Sequence, residues 1–154
     1  MMSGCPGSRT MEFPKDDVEV PAGKVPSQLR QWPIQLHLVS PAAPYFQGAD
    51  VVLAADCVPF AMGDFHSRFL KGKALAIACP KLDGDQEIYV EKVRGLFEES
   101  KINTLTVAIM QVPCCRGLLG LAVEALKLSS RKVPVKAVIV SLQGEVLQEE
   151  WASA

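Results

Sequence analysis

No stretch of this chain stays apolar for the roughly 20 residues that a membrane span needs. The opening residues, MMSGCPGSRT, lack the apolar core of a secretory leader, and Ser3-Gly4-Cys5 therefore only superficially outlines a lipoprotein cleavage site. The expected compartment is the cytoplasm, with no membrane partner. Basic charge is not in excess either: the formal net charge is -1 and Lys and Arg are interspersed with acids, so no stripe exists to neutralise phosphates. Nucleic acid is not an expected partner. There is no GxGxxG after the first strand-like run and no GxxxxGK[ST] anywhere, which removes most support for dinucleotide or nucleoside-triphosphate binding. Local CxxC knuckles, the usual framework of structural zinc, are also missing.

What is present is a globular composition, 49% hydrophobic and 21% charged, in a length suited to one domain with a real core. Residues 1–31 hold Pro6, Pro14, Pro21 and Pro26 among glycines and charges, with no sustained period, and read as a flexible arm or linker. A single α/β domain is expected over 32–150. Ile34 to Val39 alternates apolar and polar like a half-buried strand. Val51–Ala55, Ala74–Ala78 and Leu105–Met110 are continuous apolar runs, as strands covered on both faces should be. Between them, 61–70 places Phe65 and Phe69 one helical turn apart. Asp85 is positioned to cap a helix from Gln86 to Ser100. A further helix is expected from about Cys115 to Leu128, then a strand from Val135 to Ser141. Gln143-Gly144 allows a tight turn into a C-terminal hairpin. The order predicts an α/β fold with a mostly parallel open sheet of about four or five strands. Helices would cover both faces in a three-layer, Rossmann/flavodoxin-like arrangement.

The chain has five cysteines, an odd number, and Cys114 and Cys115 are adjacent. Neighbouring residues sit near 3.8 Å apart, closer than the roughly 5.5 Å that a disulfide prefers between Cα atoms. Clustered cysteines in a cytosolic chain point to metal or redox chemistry before bridges. Three apolar runs end in cysteine: Cys57 follows the first, Cys79 the second, and Cys114 with Cys115 the third. If the runs are parallel neighbours, all four sulfurs gather on the rim where open α/β sheets bind ligands. Four thiolates suit a [4Fe–4S] cluster or a tetrahedral zinc, and disfavour magnesium or calcium. Their dispersal along the chain leans to iron–sulfur, although recombinant protein carrying zinc or nothing is compatible with the same residues.

The position of Cys114 and Cys115 at a helix N-terminus should lower their thiol pKa. Gly117 should let the backbone approach a bulky inorganic ligand. Cys79 precedes Pro80, a pairing common where cluster ligands leave a secondary-structure element. Each cysteine alone is equally readable as a small core filler. Asp56 and Asp83, each just past a strand, are candidates to ligate or tune the site, though rim loops are commonly acidic; His66 is a candidate hydrogen-bond donor to it or proton carrier, and reads equally as a surface histidine. Asp64 lies two residues before His66. His37 reads as structural. Cys5, in the arm, is either a further ligand folding back to the rim or an ordinary exposed thiol.

The segments GCPGS, QWPIQLHLVSPAAPYFQGADVVLAADCVPFAMGDFH, FLKGKALAIACPKLD and VPCCRGL resemble the C-terminal region of ferredoxin-like iron–sulfur cluster-binding proteins of anaerobic bacteria. The resemblance runs from Gly4 to about Leu147. The ferredoxin run C-x2-C-x2-C-x3-C-P that precedes this region in that family is absent from the sequence, so the chain looks like the C-terminal domain alone, either as a fragment or as a stand-alone form. The resemblance implies a 4Fe-4S cofactor, an electron-transfer role and a redox protein or ferredoxin module as partner, and it allows a homodimer. The cysteine-rich domains of heterodisulfide reductases are more weakly similar. They place a lone cysteine, a long spacer and then Cys-Cys-Gly, whereas Arg116 stands here in place of the glycine.

Three functions follow as expectations. The first is an iron–sulfur or metal-binding electron-transfer domain rather than an enzyme. The second is a thiol-dependent enzyme using Cys114 or Cys115 with His66. The third is a protein-interaction module of a redox complex.

Overall fold

The computed structural model describes residues 8–14 and 23–152. Its five strands are β1 (Asp50–Ala55), β2 (Ala74–Ala78), β3 (Thr104–Met110), β4 (Val135–Val140) and β5 (Val146–Ala152). They form one sheet in the order β2-β1-β3-β4-β5, parallel throughout except for antiparallel β5. Helices α1 (Val58–Ala61), α2 (Gln86–Glu98) and α3 (Arg116–Leu128) connect the strands. Right-handed crossovers put α2 and α3 on one face, where they pack together, and α1 on the other. The expected α/β architecture is thus the observed one.

The central strands are apolar on both faces because both faces are covered. Every residue of β3 after Thr104 is buried, and Val51 to Ala55 of β1 likewise. Leu53, Leu105, Ile109, Leu96, Phe97 and Leu118 fill the space between sheet and helices with almost no exposure. β5 is different: five of its seven residues are exposed. It returns from the β4 hairpin along the sheet edge, as the Gln143-Gly144 pair predicts.

Two local expectations are corrected. Ile34 to Val39 is not a strand. It makes one parallel bridge, Gln35 to Ile77, and then turns, with the Leu38 and Val39 N–H groups both donating to the Gln35 carbonyl. The Lys92 ammonium holds this turn by donating to the carbonyls of Leu36, His37 and Val39 at 2.7 to 3.0 Å. The turn's backbone is thus satisfied by a distant side chain rather than by a neighbouring strand. Residues 61–70 are not one helix either. α1 ends at Ala61, and a π-helical turn occupies His66–Leu70. Gly63 lies in the break between them. Phe65 and Phe69 still pack together, with ring centroids 6.2 Å apart.

The exposed edge of β2 is closed by side-chain mimicry. The Gln31 amide donates to the Leu75 carbonyl at 2.7 Å and accepts from the Leu75 N–H at 2.8 Å, as a neighbouring strand would. Among the described residues no helix is long and apolar enough to cross a membrane.

Candidate functional site

Parallel pairing sets the level at which each chain segment leaves the sheet. Ala55 of β1 lies beside Ala78 of β2, and Ala54 beside Ala108 of β3. Cys57, Cys79 and the Cys114–Cys115 pair therefore emerge on one rim. That rim straddles the point where the strand order reverses, since β2 lies on one side of β1 and β3 on the other. The four cysteines line a single cleft of about 270 Å³. Its remaining walls include Met11, Leu82, Met110, Val112 and Leu142, with Ser8 and Lys81 as polar members. All four are free thiols rather than disulfides. Cys5 lies outside the described residues.

Each sulfur is placed by a different device. Cys57 occupies the residue just before α1 and is exposed. Cys114 and Cys115 occupy a 3-10 turn, Pro113–Cys115, that feeds α3. Cys79 heads a tight loop in which the Leu82 N–H donates to Cys79 Sγ at 3.4 Å. The same loop is locked by Asp83, whose carboxylate accepts the Cys79 N–H at 2.9 Å and the Tyr89 hydroxyl. Tyr89 is fully buried, and its ring stacks on His37 at 4.2 Å between centroids. His37 Nε2 pairs with the Gly84 carbonyl at 2.7 Å, which gives it the structural role expected. The Asp83–Tyr89 buttress of the Cys79 loop is a structural unit that sequence reasoning missed. Its only signal there is an acid four residues after a cysteine and a tyrosine one helical turn into α2.

Two expectations about this corner are revised. Asp85 does not cap α2 with its side chain; it adopts a left-handed conformation, φ 54°, and turns the loop into the helix. Gly117 does not face the cleft. A Cβ there would stand 3.2 Å from Cβ of Pro80, so its role is to bring the start of α3 against the Cys79-Pro80 loop.

Electrostatics also departs from expectation. The helix N-terminus should favour a thiolate at Cys115, but burial wins and pushes its pKa up to about 11, with only partial relief from a backbone hydrogen bond at Met110. Burial likewise raises Cys57, and negative charge at Cys79, Asp56 and Cys114 adds to it. In the metal-free protein Cys115 is expected to be alkylated last and Cys57 early. The Cys115 rate should still be climbing as the pH passes the ordinary thiol value of about 8.5. Site-resolved iodoacetamide labelling against pH checks this; a Cys115 midpoint at or below ordinary thiol values refutes it.

Asp56 and His66 lie elsewhere. Both line a second cavity beside β2, and the Gln28 N–H donates to His66 Nδ1 at 3.0 Å. A Cys–His nucleophile pair is therefore not assembled. Burial raises the Asp56 pKa, helped by the charge of Asp83.

The donor set fits a soft metal: four sulfurs, no competing carboxylate among the cleft's described walls, and apolar surroundings. Among the described residues, however, no three His, Cys, Asp or Glu side chains stand close enough to share one ion.

The Rossmann-like domain model matches residues 43–153 of this chain. The chain is similar to an uncharacterized protein of Archaeoglobus fulgidus, 32% identical over 119 residues, which cover 77% of this chain and 83% of that protein. No solved structure matches it.

Proposed function

The chain belongs to the Rossmann-like domain family, and on that scaffold we propose that Cys57, Cys79, Cys114 and Cys115 hold an iron–sulfur cluster, of the [4Fe–4S] type. The domain would serve electron transfer rather than catalyse a reaction of its own. One observation carries the reading: cysteines from three separate crossovers line one cleft at the switch point of the sheet.

The dispersal of the cysteines over three crossovers, with no local CxxC knuckle, is what leans this reading to a cluster over zinc. A cubane distributes its ligands around a body several ångströms across, one per iron.

Bound there, such a group would supply one-electron redox chemistry. The chain's own residues account for the rest. Four thiols must deprotonate to bind, and Cys115 starts from a raised pKa, so loading releases protons and weakens as the pH is lowered. The Leu82 N–H aimed at Cys79 Sγ stabilises charge on that sulfur, an interaction that raises reduction potentials in such sites. Met11, Met110, Val112 and Leu142 restrict water, and Lys81 sets a positive charge against the thiolates. Cys57, the exposed ligand, marks the face from which an electron would enter. The partner is then a redox protein or a ferredoxin module, and a reducing cytoplasm would keep the thiols available.

The test is anaerobic reconstitution with iron and sulfide. About four iron and four sulfide per chain are expected, with a broad absorbance near the visible edge that bleaches on dithionite reduction. Protein that takes up neither iron nor sulfide, or that binds one zinc ion with all four cysteines protected, overturns the proposal.

A further inference from the structure

The N-terminal arm touches the body of the domain in two places that differ in kind. Near β2 it is pinned by hydrogen bonds, from the Gln28 N–H to His66 Nδ1 and between the Gln31 amide and Leu75. At the rim, residues 9–14 form neither helix nor strand and, among the described residues, make no hydrogen bond or ion pair with the rest of the chain. Two side chains hold them instead. Met11 lines the cysteine cleft, and Phe13 lines a neighbouring cavity of about 440 Å³ with Gln111, Ser141 and Glu145. Leu142 is a wall of both cavities, so the two seats adjoin. Side chains two apart in an extended segment point the same way, which lets one stretch of arm fill both. The hold is shallow: Met11 and Phe13 keep 45% and 40% of their surface exposed. A segment with few buried apolar contacts and no backbone hydrogen bonds to the body is among the first to open locally.

We propose that residues 8–14 are a strap that closes the cysteine cleft and lifts from it as a unit, so that the seating of Met11 and Phe13 controls access to Cys79 and Cys114. The other walls of the cleft all come from the ends of β1, β2 and β3, the turns beyond them, and the β4–β5 turn. Those walls are fixed to the sheet. Met11 belongs to the weakly held arm and is the wall that yields when something enters. Cys57 is exposed with the strap in place, while Cys79 and Cys114 are half-buried, so lifting changes access to the latter two most. The hydrogen bonds at Gln28 and Gln31 keep the released arm tethered nearby, and a short tether favours return. An occupant that needs the Met11 seat weakens the strap, and the strap weakens that occupant by the same factor. The strap governs passage into the cleft whichever group the four sulfurs bind.

Phe13→Ser is the decisive substitution, because Phe13 anchors the strap without lining the cleft. The full chain, free of metal, is treated with a bulky fluorescein maleimide, and modification of each cysteine is followed by mass spectrometry. Cys79 and Cys114 are expected to react at least about fivefold faster in Phe13→Ser than in the unaltered chain, and Cys57 to change by less than about twofold. Met11→Ser removes a wall as well as an anchor and should do at least as much. Tryptic cleavage after Arg9, which lies within the strap, should quicken in both variants. The melting temperature should fall by no more than about 2 °C, since neither side chain belongs to the core. Unchanged labelling of Cys79 and Cys114 in Phe13→Ser would overturn the proposal, as would cleavage after Arg9 at the original rate. An equal rise at Cys57, or a melting temperature lowered beyond that margin, would do so too, because the loosening would then be general.

Discussion

Gly144→Ala is expected to cost the protein more than about 3 kcal/mol and to lower its melting temperature by roughly 10 °C. Gly144 sits in the β4–β5 turn with φ +89°, a conformation that costs an alanine on the order of 1–2 kcal/mol by itself. Steric collision adds more than this backbone strain. A Cβ there would lie 2.1 Å from the Ala61 carbonyl oxygen, a backbone atom that cannot rotate away. Either the hairpin lifts off α1 or α1 shifts. Both outcomes reach the cleft, because Leu142 in the same turn lines it and α1 begins next to Cys57. Gly72→Ala is the control: φ is +74° but nothing stands within 4 Å, so only the strain of the left-handed backbone applies. Thermal denaturation of the two variants separates strain from collision. Similar losses in both would show that the hairpin is free to move away from α1.

The contrast between these glycines explains what is legible in the sequence. Three buried strands can be located closely, because Val51–Ala55, Ala74–Ala78 and Leu105–Met110 are too uniformly apolar for any place but a covered sheet. The shared cysteine at the end of each then follows from parallel direction alone. The hairpin is legible through Gln143-Gly144, but the contact with Ala61 is not, since 83 residues separate the two in the chain. Ile34–Val39 misleads for a related reason. Its backbone is satisfied by a distant ammonium, Lys92, whose reach no local pattern reveals. His66 and Asp56 stand out chemically in the sequence, yet which cavity they border depends on the direction in which α1 and the π-helical turn leave β1. The raised pKa of Cys115 is hidden because a helix N-terminus is visible in sequence and burial is not. A thiol only 8% exposed loses more from desolvation than the helix end returns.

Cys57→Ser is the substitution that best separates a ligand from a structural cysteine. Cys57 is the exposed member of the cleft, and serine is close to it in size with a hydroxyl that solvent satisfies there, so the metal-free protein should change in stability by no more than about 0.5 kcal/mol. Under the cluster reading the same change removes one of four thiolates. Iron content after anaerobic reconstitution should fall from about four per chain to three or fewer, since a cubane with an open corner loses an iron or disassembles. Cys115→Ser cannot distinguish the two roles by itself, because a hydroxyl buried at that depth destabilises the core whether or not the sulfur binds anything. Cys57→Ser with intact fold and lost iron supports a ligand set, whereas Cys57→Ser with intact fold and full iron removes Cys57 from it. Labelling in the metal-free protein reports on the geometry independently. Burial raises the Cys57 pKa, and the negative charges of Cys79 and Cys114 raise it further. Cys79→Ser and Cys114→Ser should each therefore ease deprotonation of Cys57 and quicken its alkylation at alkaline pH. Unchanged Cys57 labelling in both variants would mean that the three sulfurs do not share one field, and the cleft would then have no claim to a common ligand.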